Sequence, residues 1–126
     1  MSSDPQQSMS IPDRTVSDPP RFVDPSEAFD SIQEIAGRKW HFRIVYHLLE
    51  DGPMGFSALK RSLEGVSSKM LSESLTTLEE HGLLRRSIVS DQPIRVEYTL
   101  TDRGVALEPA ITALLRWNAE FDESGP

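Results

Sequence analysis

Apolar positions are most regularly spaced between Phe56 and Gly82, in FSALKRSLEGVSSKMLSESLTTLEEHG. Leu71, Leu75 and Leu78 fall at i, i+4 and i+7, which places them on one stripe of a helix and makes that stripe its buried side. Upstream, Phe56, Leu59 and Leu63 mark the buried side of a shorter helix, and Gly65 punctuates the turn between them. Ser67 is the expected N-cap of the second helix, because its hydroxyl can accept an otherwise unpaired first-turn amide; Gly82 supplies a left-handed residue at the other end. Two helices joined in this way predict a helix-turn-helix.

The same periodicity organises the flanks. Ala28, Phe29, Ile32, Ile35 and Ala36 share one side of a helix expected to start near Pro25, with Ser26 as its cap, and to stop at Gly37. Trp40, Ile44, Val45, Leu48 and Leu49 give the stripe of a central core helix closed by Gly52 and Pro53, and Met54 and Gly55 can add a minimal strand. After Gly82, LLRRSIV and IRVEYTL flank SDQP. Ile94, Val96, Tyr98 and Leu100 alternate with Arg95, Glu97 and Thr99, which predicts a half-buried hairpin. Thr101 is placed to cap a last helix, TDRGVALEPAITALLRWNAEF, in which Leu107, Ile111, Leu114 and Phe121 form a stripe widened by Ala110, Leu115 and Trp117. Pro109 removes a backbone donor within it, so a kink or break is expected there. That much apolar surface requires a partner, either the domain's own N-terminal helix or a second subunit.

The expected architecture is mainly α with a small β-hairpin wing (α+β), a winged helix-turn-helix over residues 25–122. Residues 1–24, with Pro5, Pro12, Pro19 and Pro20, many Ser and Asp and no apolar period, read as a disordered acidic arm; residues 123–126 read as a flexible tail.

Polar positions carry the candidate chemistry. Around the first two turns of the helix that Ser67 caps lie Ser68, Lys69, Ser72, Glu73 and Thr76, short hydrogen-bonding groups and a cation at the end that a recognition helix points into the major groove. A solvated amphipathic helix accounts for this segment equally well when it is taken alone. Lys60 and Arg61 face outward from the shorter helix, where a helix-turn-helix unit crosses the phosphate backbone. Arg85, Arg86 and Arg95 place guanidinium groups at the base and tip of the hairpin; the plainer reading pairs Arg95 with Glu97 or Asp91 on a solvated strand.

Composition narrows the classes. The 126 residues contain no cysteine, which excludes disulfides, thiolate nucleophiles, thiol redox sensing and cysteine zinc sites. No apolar run is long enough to span a membrane and no apolar signal core opens the chain, so a cytoplasmic protein is expected. The net charge of -7 argues against a broadly basic nucleic-acid surface but permits a local cationic strip on an acidic body. Lysine occurs only at Lys39, Lys60 and Lys69, and an acidic, lysine-poor surface suits a salt-rich, halophilic cytoplasm. An enzyme finds little support. His41 and His47 lie on different sides of their helix, His81 stands alone, and neither a zinc-protease motif, a nucleophile elbow nor a glycine-rich phosphate loop is present. No cofactor and no metal site is expected.

From Ile35 to Trp117 the chain resembles the HxlR-type transcriptional regulators, a winged helix group similar in architecture to the MarR and PadR regulators. The resemblance rests on IAGRKW at 35–40, on FSALKRSLEGVSSKMLSESLTTLEEHGLLRR, on PIRVEYTLTDRG and on Trp117. It implies a homodimer in which first and last helices pack together, with two recognition helices set for a palindromic operator in double-stranded DNA. It makes Ser67, Ser68, Lys69, Ser72 and Thr76 major-groove candidates, Arg95 the wing contact and Lys60 and Arg61 backbone contacts. Phe29, Ile32, Leu114, Trp117 and Phe121 become dimer-interface candidates. Many members carry a sensing cysteine just before the first helix; here that region reads VDPSEAF. A small-molecule effector between helices and wing remains open and unidentified. The competing function is a winged helix that binds protein without binding DNA. A protein-binding face should expose apolar anchors, whereas this one is built of Ser, Thr and Lys.

Overall fold

The computed structural model describes residues 24–122; the arm expected over residues 1–24, apart from Asp24, and the tail expected over residues 123–126 lie outside them. The elements run α1 (Pro25–Ala36), α2 (His41–Asp51), α3 (Phe56–Ser62), α4 (Ser68–Glu80), β1 (Leu84–Asp91), β2 (Ile94–Leu100), α5 (Asp102–Val105) and α6 (Glu108–Phe121). A boundary between two structural units falls inside α1, between Ser31 and Ile32.

Asp24, rather than Ser26, starts α1. Its carboxylate accepts the Ser26 amide at 2.9 Å, and its carbonyl accepts the amides of Glu27 and Ala28 at 3.1 and 3.2 Å. Pro25 has no amide to satisfy and fits the first helical position, which moves the cap two residues upstream of the position expected from serine alone. No residue of α1 is buried.

The core belongs to the second unit. Trp40, Ile44 and Leu48 of the α2 region meet Leu59 and Leu63 of the α3 region, Leu71, Leu75 and Leu78 of α4, and Leu83 and Leu84 at the foot of the hairpin. Tyr98 and Leu100 of β2 pack against this cluster. These are the residues that the 3.6-residue and 2-residue periods select, so the burial of leucine side chains, each worth roughly 1.5–3 kcal/mol, fixes the orientation of α4. Met54 forms the expected minimal strand: it exchanges backbone hydrogen bonds with Tyr98 at 3.2 and 2.8 Å and ties the α2–α3 connection to the wing.

β1 and β2 pair antiparallel, Leu84 opposite Leu100 and Ile88 opposite Val96, and a bulge at Val89 shifts the register so that Ser90 faces Arg95. The hairpin is half-buried only at its base. Ile88, Val89 and Ile94 near the tip are exposed, because the strands outrun the helices that cover their feet.

The C-terminal helix is two helices. Thr101 caps the short α5, its hydroxyl accepting the Gly104 amide at 3.1 Å and donating to the Gly82 carbonyl at 2.6 Å. The chain breaks at Ala106 and Leu107, and Pro109 then occupies the first turn of α6, where a missing donor costs nothing. Of α6 only Ile111 is buried.

Candidate nucleic-acid interface

Helix α4 is bounded at both ends by its own sequence. The Ser67 hydroxyl accepts the Met70 amide at 3.0 Å. At the other end Gly82 takes a φ of 77°, its amide meets the Glu79 carbonyl at 3.0 Å and the Leu83 amide meets the Leu78 carbonyl at 2.9 Å. That pair of bonds is a Schellman ending, sealed by Leu78 and Leu83 in the core. Between the caps, Leu71, Ser74, Leu75 and Leu78 are buried. Ser68, Lys69, Ser72, Glu73 and Thr76 are exposed and share the opposite side, so the core locks one face of the helix and presents the other to solvent.

The remaining candidates are exposed on neighbouring elements. Lys60 and Arg61 end α3, and the turn to α4 passes through Gly65 at a φ of 91°. Arg95 lies opposite Ser90 near the hairpin tip and forms no ion pair with Glu97 or Asp91 among the described residues. Ser67 is exposed, but its oxygen already serves as the helix cap, which leaves its O–H as the group free to donate. The interface candidates Ile32, Leu114, Trp117 and Phe121 are 54%, 51%, 60% and 66% exposed, and Phe29, in the first unit, is 67% exposed. The Trp117 and Phe121 rings lie 6.2 Å apart on α6.

Three features escape sequence reasoning. The first is His41, which is buried at the start of α2 with Nδ1 3.0 Å from the Ile35 carbonyl. A carbonyl only accepts, so this contact requires the proton on Nδ1. Burial holds its pKa below the usual value of 6.5, the Ile35 hydrogen bond opposes that shift, and the charges of Arg38 and His81 reinforce it. Nothing in the spacing distinguishes this histidine from His81, whose Nε2 lies 3.6 Å from a Glu34 carboxylate oxygen. The second is the turn before α2, which brings Arg38 and Lys39 to the side of α4: both line a cleft of about 150 Å³ whose other wall includes Met70, Glu73 and Thr77. The third is a groove of about 640 Å³, lined in part by Phe42, Tyr46 and His47 of α2, Leu63, and Ile111 and Leu114 of α6.

Comparison with known proteins gives a consistent result. A family described as HxlR-like helix-turn-helix matches residues 35–125. The HTH-type transcriptional regulator YdzF of Bacillus subtilis is 40% identical over 98 residues, covering 78% of this chain and 88% of its own. The reduced form of the transcriptional regulator YodB from B. subtilis superimposes with a TM-score of 0.69 at 32% identity, covering 79% of this chain and 96% of that one. Quinone-bound YodB superimposes with a TM-score of 0.64 at 31% identity, over 75% and 97% of the two chains.

Proposed function

Because this chain belongs to the HxlR-like helix-turn-helix family, and is therefore a transcriptional regulator rather than an enzyme, we propose that it acts in the cytoplasm as a homodimer on a palindromic operator. Helix α4 enters the major groove with Ser68, Lys69, Ser72 and Thr76 toward base edges and Ser67 at the phosphates. Lys60 and Arg61 contact the backbone, and Arg95 on the wing reaches the neighbouring groove or backbone. The observation that carries this reading is the exposed polar row of α4 on a helix whose other side is held in the core. Such a face offers donors and acceptors in fixed positions and no large apolar anchor along that row, which suits base edges better than a protein surface.

The exposed apolar side of α6 supports a two-fold arrangement. Trp117, Phe121 and Leu114, joined by Phe29 and Ile32 of α1, supply the dimer contact, and the recognition helices then meet successive major grooves about 34 Å apart. A small-molecule effector fits the groove between α2 and α6, by analogy with the quinone-bound relative. With no cysteine in the chain, such a ligand binds without a thiol adduct.

Selection of duplexes from a random DNA pool tests the proposal. It should be run at about 0.15 M and about 2 M potassium salt, because phosphate contacts weaken steeply with salt and the acidic, lysine-poor surface suits a salt-rich host. A palindrome is expected, with affinity lowered by Lys69→Ala and by Arg95→Ala. Enrichment of no duplex at either salt would transfer the α4 face to a protein partner.

A further inference from the structure

Resting on the DNA-binding reading above, we infer that the turn between α1 and α2 is a phosphate clamp in which Arg38 and Lys39 hold a backbone phosphodiester of the same duplex that α4 reads.

The turn is fixed from several directions. The Gly37 amide donates to the Gln33 carbonyl at 2.8 Å, and a side chain at Gly37 would stand 2.7 Å from that same oxygen, so the tight approach requires glycine. The His41 ring reaches back to the Ile35 carbonyl. Trp40 is 6% exposed in the core, and its carbonyl accepts the Ile44 amide at 2.9 Å. The cations between these anchors are therefore displayed from a rigid base.

Their charges are available. Arg38, Lys39 and Arg43 are exposed, and none forms an ion pair with a carboxylate among the described residues. Lys39 Nζ lies 5.0 Å from the centre of the Trp40 ring and the Arg43 guanidinium 5.5 Å from it, so the buried indole gathers two cations over its surface. In a chain of net charge -7 this is a local concentration of positive charge. It adjoins α4, because Arg38 and Lys39 share their cleft with Met70, Glu73 and Thr77. Glu73 faces the cleft without pairing with either cation, so a phosphate would seat on the turn side, away from that carboxylate. Arginine and lysine in this position supply the charge-assisted donors that fix the register of a helix on DNA without reading sequence.

The test is the salt dependence of affinity for the selected duplex, measured for the full-length protein, Arg38→Gln/Lys39→Gln and Arg38→Lys. Each lost phosphate contact should make the plot of log K against log salt shallower by about 0.9, equivalent to roughly 3.5-fold in affinity over a fourfold change in salt. The double variant, which releases the one clamped phosphate, should lose about 0.9 in slope, keep the base preferences of the wild type and melt at the wild-type temperature. Arg38→Lys, which keeps the charge, should restore most of the slope that a glutamine there removes. A single neutral methylphosphonate linkage at the clamped phosphate should weaken the wild type and leave the double variant unchanged. A double variant with wild-type slope and affinity overturns the clamp and leaves the regulator reading intact. A wild-type protein that binds no duplex overturns both.

Discussion

At the scale of single residues, His41 ties stability to pH and Ser67 ties it to a helix cap. His41 is neutral in the fold, with its Nδ1 proton on the Ile35 carbonyl and its pKa lowered by burial. The unfolded chain takes up a proton near the ordinary pKa of 6.5, while the folded chain does so only at lower pH. In that window the unfolded state binds more protons, so stability present above pH 6.5 is lost as the pH falls. Urea midpoints measured at about pH 7.5 and about pH 5.5 should therefore fall with acidification, and His41→Asn should flatten the difference. Ser67 separates stability from binding. Ser67→Ala removes the acceptor of the Met70 amide and should cost about 1 kcal/mol by urea unfolding. Ser67→Asp keeps the cap and the stability but puts a negative charge where the proposed docking brings the phosphates, so its operator affinity should fall while its urea midpoint stays near that of the wild type.

At the scale of elements, the presentation of α4 depends on what holds it from behind. Leu75 is 2% exposed on its buried stripe, and Leu75→Ala should cost roughly 2–5 kcal/mol without altering which bases are preferred by the protein that remains folded. The junction of wing and C-terminal helices is equally tight. A side chain at Gly104 would collide with the Leu83 carbonyl and stand 3.0 Å from a Leu100 methyl. Gly104→Ala should therefore lower stability by about 1–3 kcal/mol, read by thermal melting. Thr101 serves the same junction, joining the end of α4 to the start of α5 through the Gly82 carbonyl and the Gly104 amide. Helix, wing foot and α5 thus share one set of backbone contacts, which suits an element whose outward face must keep a fixed angle.

At the scale of the whole molecule, the unburied face of α6 is the feature that a single chain does not satisfy. Leu114, Leu115, Trp117 and Phe121 are all more than half exposed on one terminal helix. An apolar face of this kind is stable in water chiefly when a second surface covers it. Trp117→Asp places a charge there and should sediment as a monomer at low micromolar concentration where the wild type is expected to sediment as a dimer; a dimeric variant would move the contact elsewhere. Loss of the dimer should also abolish preference for a palindrome over its half-site, since in the proposed complex each subunit reads one half.

The sequence alone determined the helix-turn-helix, the caps at Ser67 and Gly82, the wing, the break before α6 and the polar row on α4, because each is written in contacts between residues a few positions apart. Periodicity of 3.6 or 2 selects the buried face, and Ser, Gly and Pro mark the ends. Other features arose only from tertiary structure. Asp24 displaced Ser26 as the cap of α1, the bulge at Val89 shifted the wing register, and the hairpin tip escaped the core. His41 became buried while His81 stayed at the surface, and Arg38 and Lys39 came to lie beside a helix some thirty residues further along the chain. Burial, and proximity between distant segments, depend on how whole elements pack. That packing is set by the summed fit of many side chains, and no local pattern encodes it.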